Sequence, residues 1–265
     1  MSAAPRHVTV AIEQGVTTLT LNRPEVLNSL NGAMAAEIQA ALAAFASDAS
    51  ARALLITGAG RGFCAGQDLA ALVGSDGTIA TDLERIVRDD YNPIVHAIRT
   101  IEKPVIAAVN GIAAGAGANL ALACDLVLAS DKAAFAFSFA KVGLIPDSGG
   151  TFMLPRLVGW ARATAMVMLA EKIDAAAAKA LGMIHQVAPA ESLMSEALGL
   201  ARQLATQPTA GLGLIKRALN ASAINGLDAQ LALEAELQGR AGATHDYREG
   251  VAAFIAKRPP AFTGQ

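Results

Sequence analysis

Charge is scarce in this sequence. Charged residues make up 17% of its 265 residues, against roughly a quarter in an average soluble protein. A chain so poor in charge keeps much of its surface covered, by itself or by copies of itself, and an oligomer is expected. The formal net charge is -2 and the basic residues are scattered, so nothing in the charge pattern suggests a nucleic-acid groove or a membrane-surface patch. Two cysteines, Cys64 and Cys124, and four histidines are dispersed without metal-ligand spacing, so reduced thiols and no metal are expected. Nucleotide motifs are missing as well: GAGRGF lacks the third glycine of a dinucleotide fingerprint, and no loop ends in the Gly-Lys-Ser/Thr of a P-loop. The opening MSAAPRHVTV has no apolar signal core, which points to the cytoplasm.

Long apolar runs are present in one place. Residues 104–124, PVIAAVNGIAAGAGANLALAC, carry no formal charge over a length able to span a bilayer. Asn110-Gly111 is a turn signal, more glycines follow, and Lys103 and Asp125 close the ends. A buried strand, a loop and a helix are expected there instead.

Strand and helix patterns alternate through the first half. VTTLTLN (16–22) alternates as a strand does, while ALLITG (53–58), PVIAAVNG (104–111) and DLVLAS (125–130) read as continuously buried strands. GAMAAEIQAALAAFA (32–46) is a helix, and a second is predicted from a capping box at Thr81 to Ile101, kinked at Pro93. Beyond about residue 150 helices dominate. The last opens on a predicted Asp246/Glu249 capping box. An α/β core over 1–205 and a helical region over 206–265 are the expected organisation.

Two strand-to-helix loops are poor in side chains: GAGRGFCAGQDL (58–69) and NGIAAGAGANLALA (110–123). Such turns leave backbone N–H groups open to a ligand, and two of them can stabilise a carbonyl oxygen as it becomes an enolate. Each loop alone reads more readily as tight packing of strand on helix. Asp147, in GLIPDSGG (143–150), likewise fits an ordinary turn or helix cap. If Phe137, Phe139, Leu144 and Ile145 share its cavity, desolvation raises its pKa and makes it a better base. Tyr91 and Asn92 are weaker candidates for the site, with a core or capping role favoured. Cys64 reads as a small buried hydrophobe.

Four ordered motifs, GRGFCAGQDL, KPVIAAVNGIAAGAGANLALACD, KVGLIPDSGGTFMLPRLVG and DYREGVAAFIAKRPPAF, together resemble the crotonase (enoyl-CoA hydratase/isomerase) superfamily along essentially the whole chain. IPDSGGTFMLPR, TQPTAGLGLIKRALN and HDYREGVAAFIAKR narrow the resemblance to members that isomerise the ring epoxide of phenylacetyl-CoA. The resemblance implies a spiral of ββα units with a C-terminal helical oligomerisation region, assembled as a trimer or as a hexamer of two trimers. It places the oxyanion-hole amides at Gln67 and Ala116. By position, Ala65, Asp68, Leu69, Gly117 and Phe139 line the acyl-CoA site, and Phe254 and Lys257 meet its nucleotide end, Lys257 reading equally as solvated surface. The two hydratase glutamates fall at Asn119 and Phe139, neither a general base. Asp147 stands where isomerases carry their single carboxylate. An acyl-CoA isomerase without a cofactor beyond the substrate's own CoA is therefore expected. A hydratase is the alternative, and a non-catalytic acyl-CoA- or RNA-binding protein is the alternative of another class.

Overall fold

Apolar runs fold as strands here because both of their faces find cover. The structure, a computed structural model, describes residues 6–74, 76–79 and 82–265. In chain order its strands are β1 (Val8–Glu13), β2 (Val16–Leu21), β3 (Ala53–Gly58), β4 (Gly62–Cys64), β5 (Val105–Val109), β6 (Ile112–Ala114), β7 (Leu126–Ser130), β8 (Ala134–Ala136), β9 (Lys172–Asp174) and β10 (Gln186–Ala188). They form one sheet in the order β1-β2-β3-β5-β7-β10 and another in the order β4-β6-β8-β9. The first is parallel from β2 to β10, with β1 antiparallel at its edge. Three times in succession the chain crosses from the first sheet to the second, from β3 to β4, β5 to β6 and β7 to β8. That repeated step is the spiral the resemblance implies.

Alternation along each buried strand feeds two cores. Leu54, Ile56, Val105 and Ala107 face one, packed against α1 (Gly32–Ser47) and the elements of the second sheet; Ala53, Leu55, Ile106 and Ala108 face the other. The run 104–124 resolves into β5, a turn at Asn110-Gly111, β6 and a short helix, and no described helix is long and apolar enough to cross a membrane. Helix α1 starts where predicted, with Asn31 Oδ1 accepting from the Met34 amide, a cap worth about 1 kcal/mol.

The second predicted helix differs from expectation. Thr81 lies outside the described residues. Asp82 caps α2 (Leu83–Arg85), a π-helical turn follows over Ile86–Tyr91, and α3 (Asn92–Thr100) continues with Pro93 in its first turn. The irregularity is thus the π turn rather than a proline kink. Pro93 lies inside this continuous helical stretch, and the Asp89 and Asp90 carbonyls ahead of it accept from Gln39 Nε2.

The remaining helices are α4 (Ala116–Ala123), α5 (Gly150–Val158), α6 (Trp160–Met168), α7 (Ala175–Ala180), α8 (Leu193–Ala205), α9 (Thr209–Ser222), α10 (Leu227–Gly242) and α11 (His245–Ile255). Helix α8 lays Leu193, Ala197, Ala201 and Ala205 on the second core. Helix α9 is tied to the sheet by buried Lys216, whose Nζ donates to Asp125 Oδ2 at 2.8 Å and to the Ile98 carbonyl at 2.6 Å. Burial pushes the Asp125 carboxyl up and the Lys216 ammonium down, and each charge partly restores the other.

The Asp246/Glu249 capping box does not form. Thr244 caps α11 through the Tyr247 amide. Asp246 instead turns to the chain end: Oδ1 accepts from the Thr263 amide and Oδ2 from the Gly264 amide, both at 2.7 Å. Glu249 holds Arg258 in a two-pronged ion pair and accepts from the Ala261 amide. Burial raises the Asp246 pKa, but the bonds from Thr263, Gly264 and His245 outweigh it and leave the group below the usual carboxylate range. The Arg258 hydrogen bond, with help from Ala261, holds Glu249 down to about 2. Both folded pKa values are depressed, so their stabilisation is present above the unfolded value of about 4 and lost as pH falls through the folded ones. Hydrogen exchange is expected to find the amides of Ala261, Thr263 and Gly264 protected at about pH 5 and exposed toward pH 2, before the strands open. Unchanged protection across that range would refute the lock.

Candidate active site

The second sheet brings the two glycine-rich loops together. Loop 58–69 is held from behind by two asparagines. Buried Asn28 donates from Nδ2 to the Ala59 and Gly62 carbonyls and accepts from the Arg23 amide, and Asn110 Nδ2 donates to the Gly60 and Gly62 carbonyls. Leu30 brackets Gln67: its amide donates to the Gly66 carbonyl and its carbonyl accepts from the Asp68 amide. By strand alternation the Gln67 N–H points away from Leu30. Ala116 is the first residue of α4, so its N–H has no partner within the helix. Among the described residues, neither amide is bonded to a protein acceptor. The loops approach so closely that a Cβ on Gly66 would lie 2.7 Å from the Ala114 carbonyl oxygen and 3.5 Å from the Ala116 nitrogen. Gly66 also has φ +91° and Gly115 φ +52°, where side chains are strained.

Phe139 closes the same hollow, its ring tip 3.7 Å from where a Gly115 Cβ would sit. Gly117 presses α4 onto Cys64: a Cβ there would stand 2.7 Å from Cys64 Sγ. Burial pushes the Cys64 thiol up to about 12, which leaves it un-ionised at neutral pH. Iodoacetamide is therefore expected to label Cys64 only at the rate of unfolding; rapid labelling of native protein would contradict this packing.

Asp147 is half-buried on the turn into α5. Burial pushes its carboxyl above the usual aspartate range, against the Ser148 hydroxyl, which donates to Oδ1 at 2.9 Å and pulls it down. Ser148 takes φ +49° and Gly149 φ +76°, a tight left-handed turn. The Asp147 carbonyl accepts from the Gly150 amide at 2.8 Å and from Asn119 Nδ2 at 2.9 Å, which ties it to the helix that begins with Ala116. Tyr91, at the end of the π turn, is 2% exposed. Burial raises its phenol pKa, and the negative charge of Asp147 adds to the rise.

Several predicted site residues fall elsewhere or do something else. The shared cavity with Leu144 and Ile145 is not formed: Ile145 is 79% exposed and Leu144 also faces solvent, while Phe137 is buried in the core. Both Leu144 and Ile145 lie past the left-handed Gly143, which turns the chain outward. Asp68 pairs with Arg23 at 2.9 Å and caps the short 3-10 turn at residues 69–72, so its carboxylate is already engaged. Leu69 is exposed and Ala65 half-buried. Asn92 is exposed. Phe254 lies on α11, 85% exposed, and borders an apolar hollow of about 400 Å³ with Tyr247, Val251 and Phe262, whereas Lys257 lies past the end of that helix, in a left-handed turn at φ +52°. Asn28, which braces the first loop, lies outside the quoted motifs, and Asn110 and Ser148 lie inside two of them without a bracing role to be read there; their only sign in the sequence is Asn or Ser beside a turn.

Among the described residues, no three His, Cys, Asp or Glu side chains are grouped to hold a metal. The site offers two free amides, one partly desolvated carboxylate and an aromatic wall. That set can polarise a thioester carbonyl and move a proton beside it.

Comparison with known proteins agrees with this chemistry. The enoyl-CoA hydratase/isomerase family model matches residues 11–265. The 1,2-epoxyphenylacetyl-CoA isomerase of Escherichia coli K12 is 53% identical over 254 residues, 96% of this chain and 97% of that one. A Rhodobacter capsulatus protein named "Probable enoyl-CoA hydratase" is 48% identical over 96% of each chain. An enoyl-CoA hydratase structure from Polaromonas sp. JS666 superposes with a TM-score of 0.91 at 38% identity, covering 96% of this chain and 99% of that one. The chain belongs to the enoyl-CoA hydratase/isomerase family, the crotonase superfamily.

Proposed function

We propose that this protein isomerises ring-1,2-epoxyphenylacetyl-CoA to oxepin-CoA, and shifts the double bond of enoyl-CoA thioesters, with Asp147 carrying the proton. The observation that carries the proposal is the carboxylate of Asp147, its pKa raised by burial; among the described residues Asp68, next to Gln67, is already paired with Arg23, and the positions that the family resemblance gives to the hydratase glutamates hold Asn119 and Phe139. A hydratase must deprotonate water and protonate carbon, whereas an isomerase returns to one carbon the proton it took from another, and one base suffices. The Gln67 and Ala116 amides bind the thioester oxygen and stabilise the enolate, each worth about 2.7 to 4 kcal/mol by analogy with other oxyanion holes. In the double-bond shift Asp147 removes a proton from the carbon next to the thioester and returns it two carbons away; in the epoxide the bond between the two oxygen-bearing ring carbons breaks as the seven-membered oxepin forms, with the thioester held in the same oxyanion hole. No water, electron or cofactor is consumed.

The protein works as a homotrimer or a hexamer of two trimers in the cytoplasm. Supporting the assembly are the apolar side chains left exposed on α9 to α11, among them Ile215, Leu219, Leu231, Phe254 and Ile255. In such an assembly Phe254 and Lys257 serve the nucleotide end of CoA. Mass and ultraviolet spectra of the products from the epoxide and from a 3-enoyl-CoA test the activity. Unchanged mass with a shifted spectrum is expected. A gain of one water would make the protein a hydratase.

A further inference from the structure

Helix α4 reads AGANLALA, and its one polar side chain, Asn119, is fully buried. Nδ2 donates to the Asp147 carbonyl. The amide cannot swing, because Gly150 packs flat on it: a Cβ on Gly150 would fall 2.4 to 2.7 Å from Nδ2, Cγ and Oδ1 alike. Asn119 Oδ1 has no partner among the described residues. A leucine in this helix would fill the space without stranding an acceptor away from water. An amide kept there at the expense of an unsatisfied oxygen is retained for its donor, and the donor's target is the peptide that carries Asp147. That peptide leads directly into Ser148 at φ +49°, a conformation that persists only when its surroundings hold it.

We propose that Asn119 is a positioning residue for Asp147, fixing the peptide from which the carboxylate is aimed at the substrate carbon. It rests on the reading of Asp147 as the proton carrier. The position that holds a glutamate in hydratases thus serves here to orient the one remaining carboxylate. A carboxylate at 119 would defeat this. When ionised it has no hydrogen to give the Asp147 carbonyl, and its charge would oppose ionisation of Asp147.

The test compares Asn119→Leu, Asn119→Asp and Asp147→Asn, singly and with Asp147→Asn combined with Asn119→Leu, by kcat and KM against pH. For Asn119→Leu, kcat is expected to fall about 10- to 100-fold, the scale of a misplaced reacting group, with KM nearly unchanged. In the Asp147→Asn background the same change is expected to cost almost nothing, because there is no base left to aim. Asn119→Asp, the same shape, should move the acid limb of kcat to higher pH. If Asn119→Leu does not fold, that shift carries the test. Wild-type kcat and pH profile in a folded position-119 variant, with Asp147→Asn inactive, would overturn the positioning role and leave the Asp147 reading intact. An active Asp147→Asn would overturn both.

Discussion

Replacing Asp147 by asparagine is expected to lower kcat by two to four orders of magnitude while leaving the thermal midpoint equal or higher. The kinetic figure is the usual contribution of a placed general base. Asparagine keeps the shape and the acceptor for the Ser148 hydroxyl, but cannot take a proton. The stability direction follows from linkage. Burial raises the folded pKa of Asp147 above its unfolded value of about 3.9, so the native state binds the proton more tightly than the unfolded chain. That stabilisation is complete below the unfolded pKa and is lost as pH rises through the folded one. At neutral pH the ionised carboxylate therefore costs stability, and a neutral amide relieves it. The same raised pKa of the free enzyme sets the acid limb of wild-type kcat/KM above the usual aspartate range. Steady-state kinetics and calorimetry on one preparation decide it. A variant retaining a tenth of the activity would sink the assignment, and a lowered midpoint would sink the account of the burial.

The second large effect is expected at a residue with no side chain. Gly66→Ala should reduce kcat about 10²- to 10³-fold, the loss associated with one oxyanion donor. The new methyl would meet the Ala114 carbonyl at 2.7 Å, on a backbone at φ +91°. Relief requires the loop to retreat, and Gln67 retreats with it. Gly159→Ala is the control, because Gly159 has φ +80° but nothing within 4 Å of its added Cβ. It should pay the conformational strain alone, losing stability without the kinetic defect. Equal kinetic losses in the two variants would show that strain anywhere disturbs the enzyme, and the oxyanion assignment to loop 58–69 would fall.

Much of the fold was legible because the parallel strands are buried on both faces and so appear as unbroken apolar runs, as in ALLITG and PVIAAVNG. The oxyanion loops were legible for a related reason, since a close backbone approach admits only glycine and alanine. Other features left no trace. A six-residue π turn differs too little from helical spacing to show in the pattern of Ile86, Val87 and Ile94. Asp246 looked like a cap because its true partners, Thr263 and Gly264, are distant in sequence and bind through main-chain amides that any residue would supply. Asp68 looked like a pocket residue because Arg23 reaches it from 45 positions away. Leu144 and Ile145 were apolar without being buried, and composition alone cannot separate the two.

The π turn at Ile86–Tyr91 also bears on how this enzyme changes over evolutionary time. A π turn is an α-helix carrying one surplus residue. Deleting one residue there would restore the regular ladder and rotate the short α2 ahead of it by about 100° with a shift of about 1.5 Å, while Tyr91, α3 and the core beneath them stay in place. The stretch leading into α2 can therefore be re-indexed by a single codon gained or lost, a larger step than a point substitution affords, without re-engineering the catalytic half of the protein.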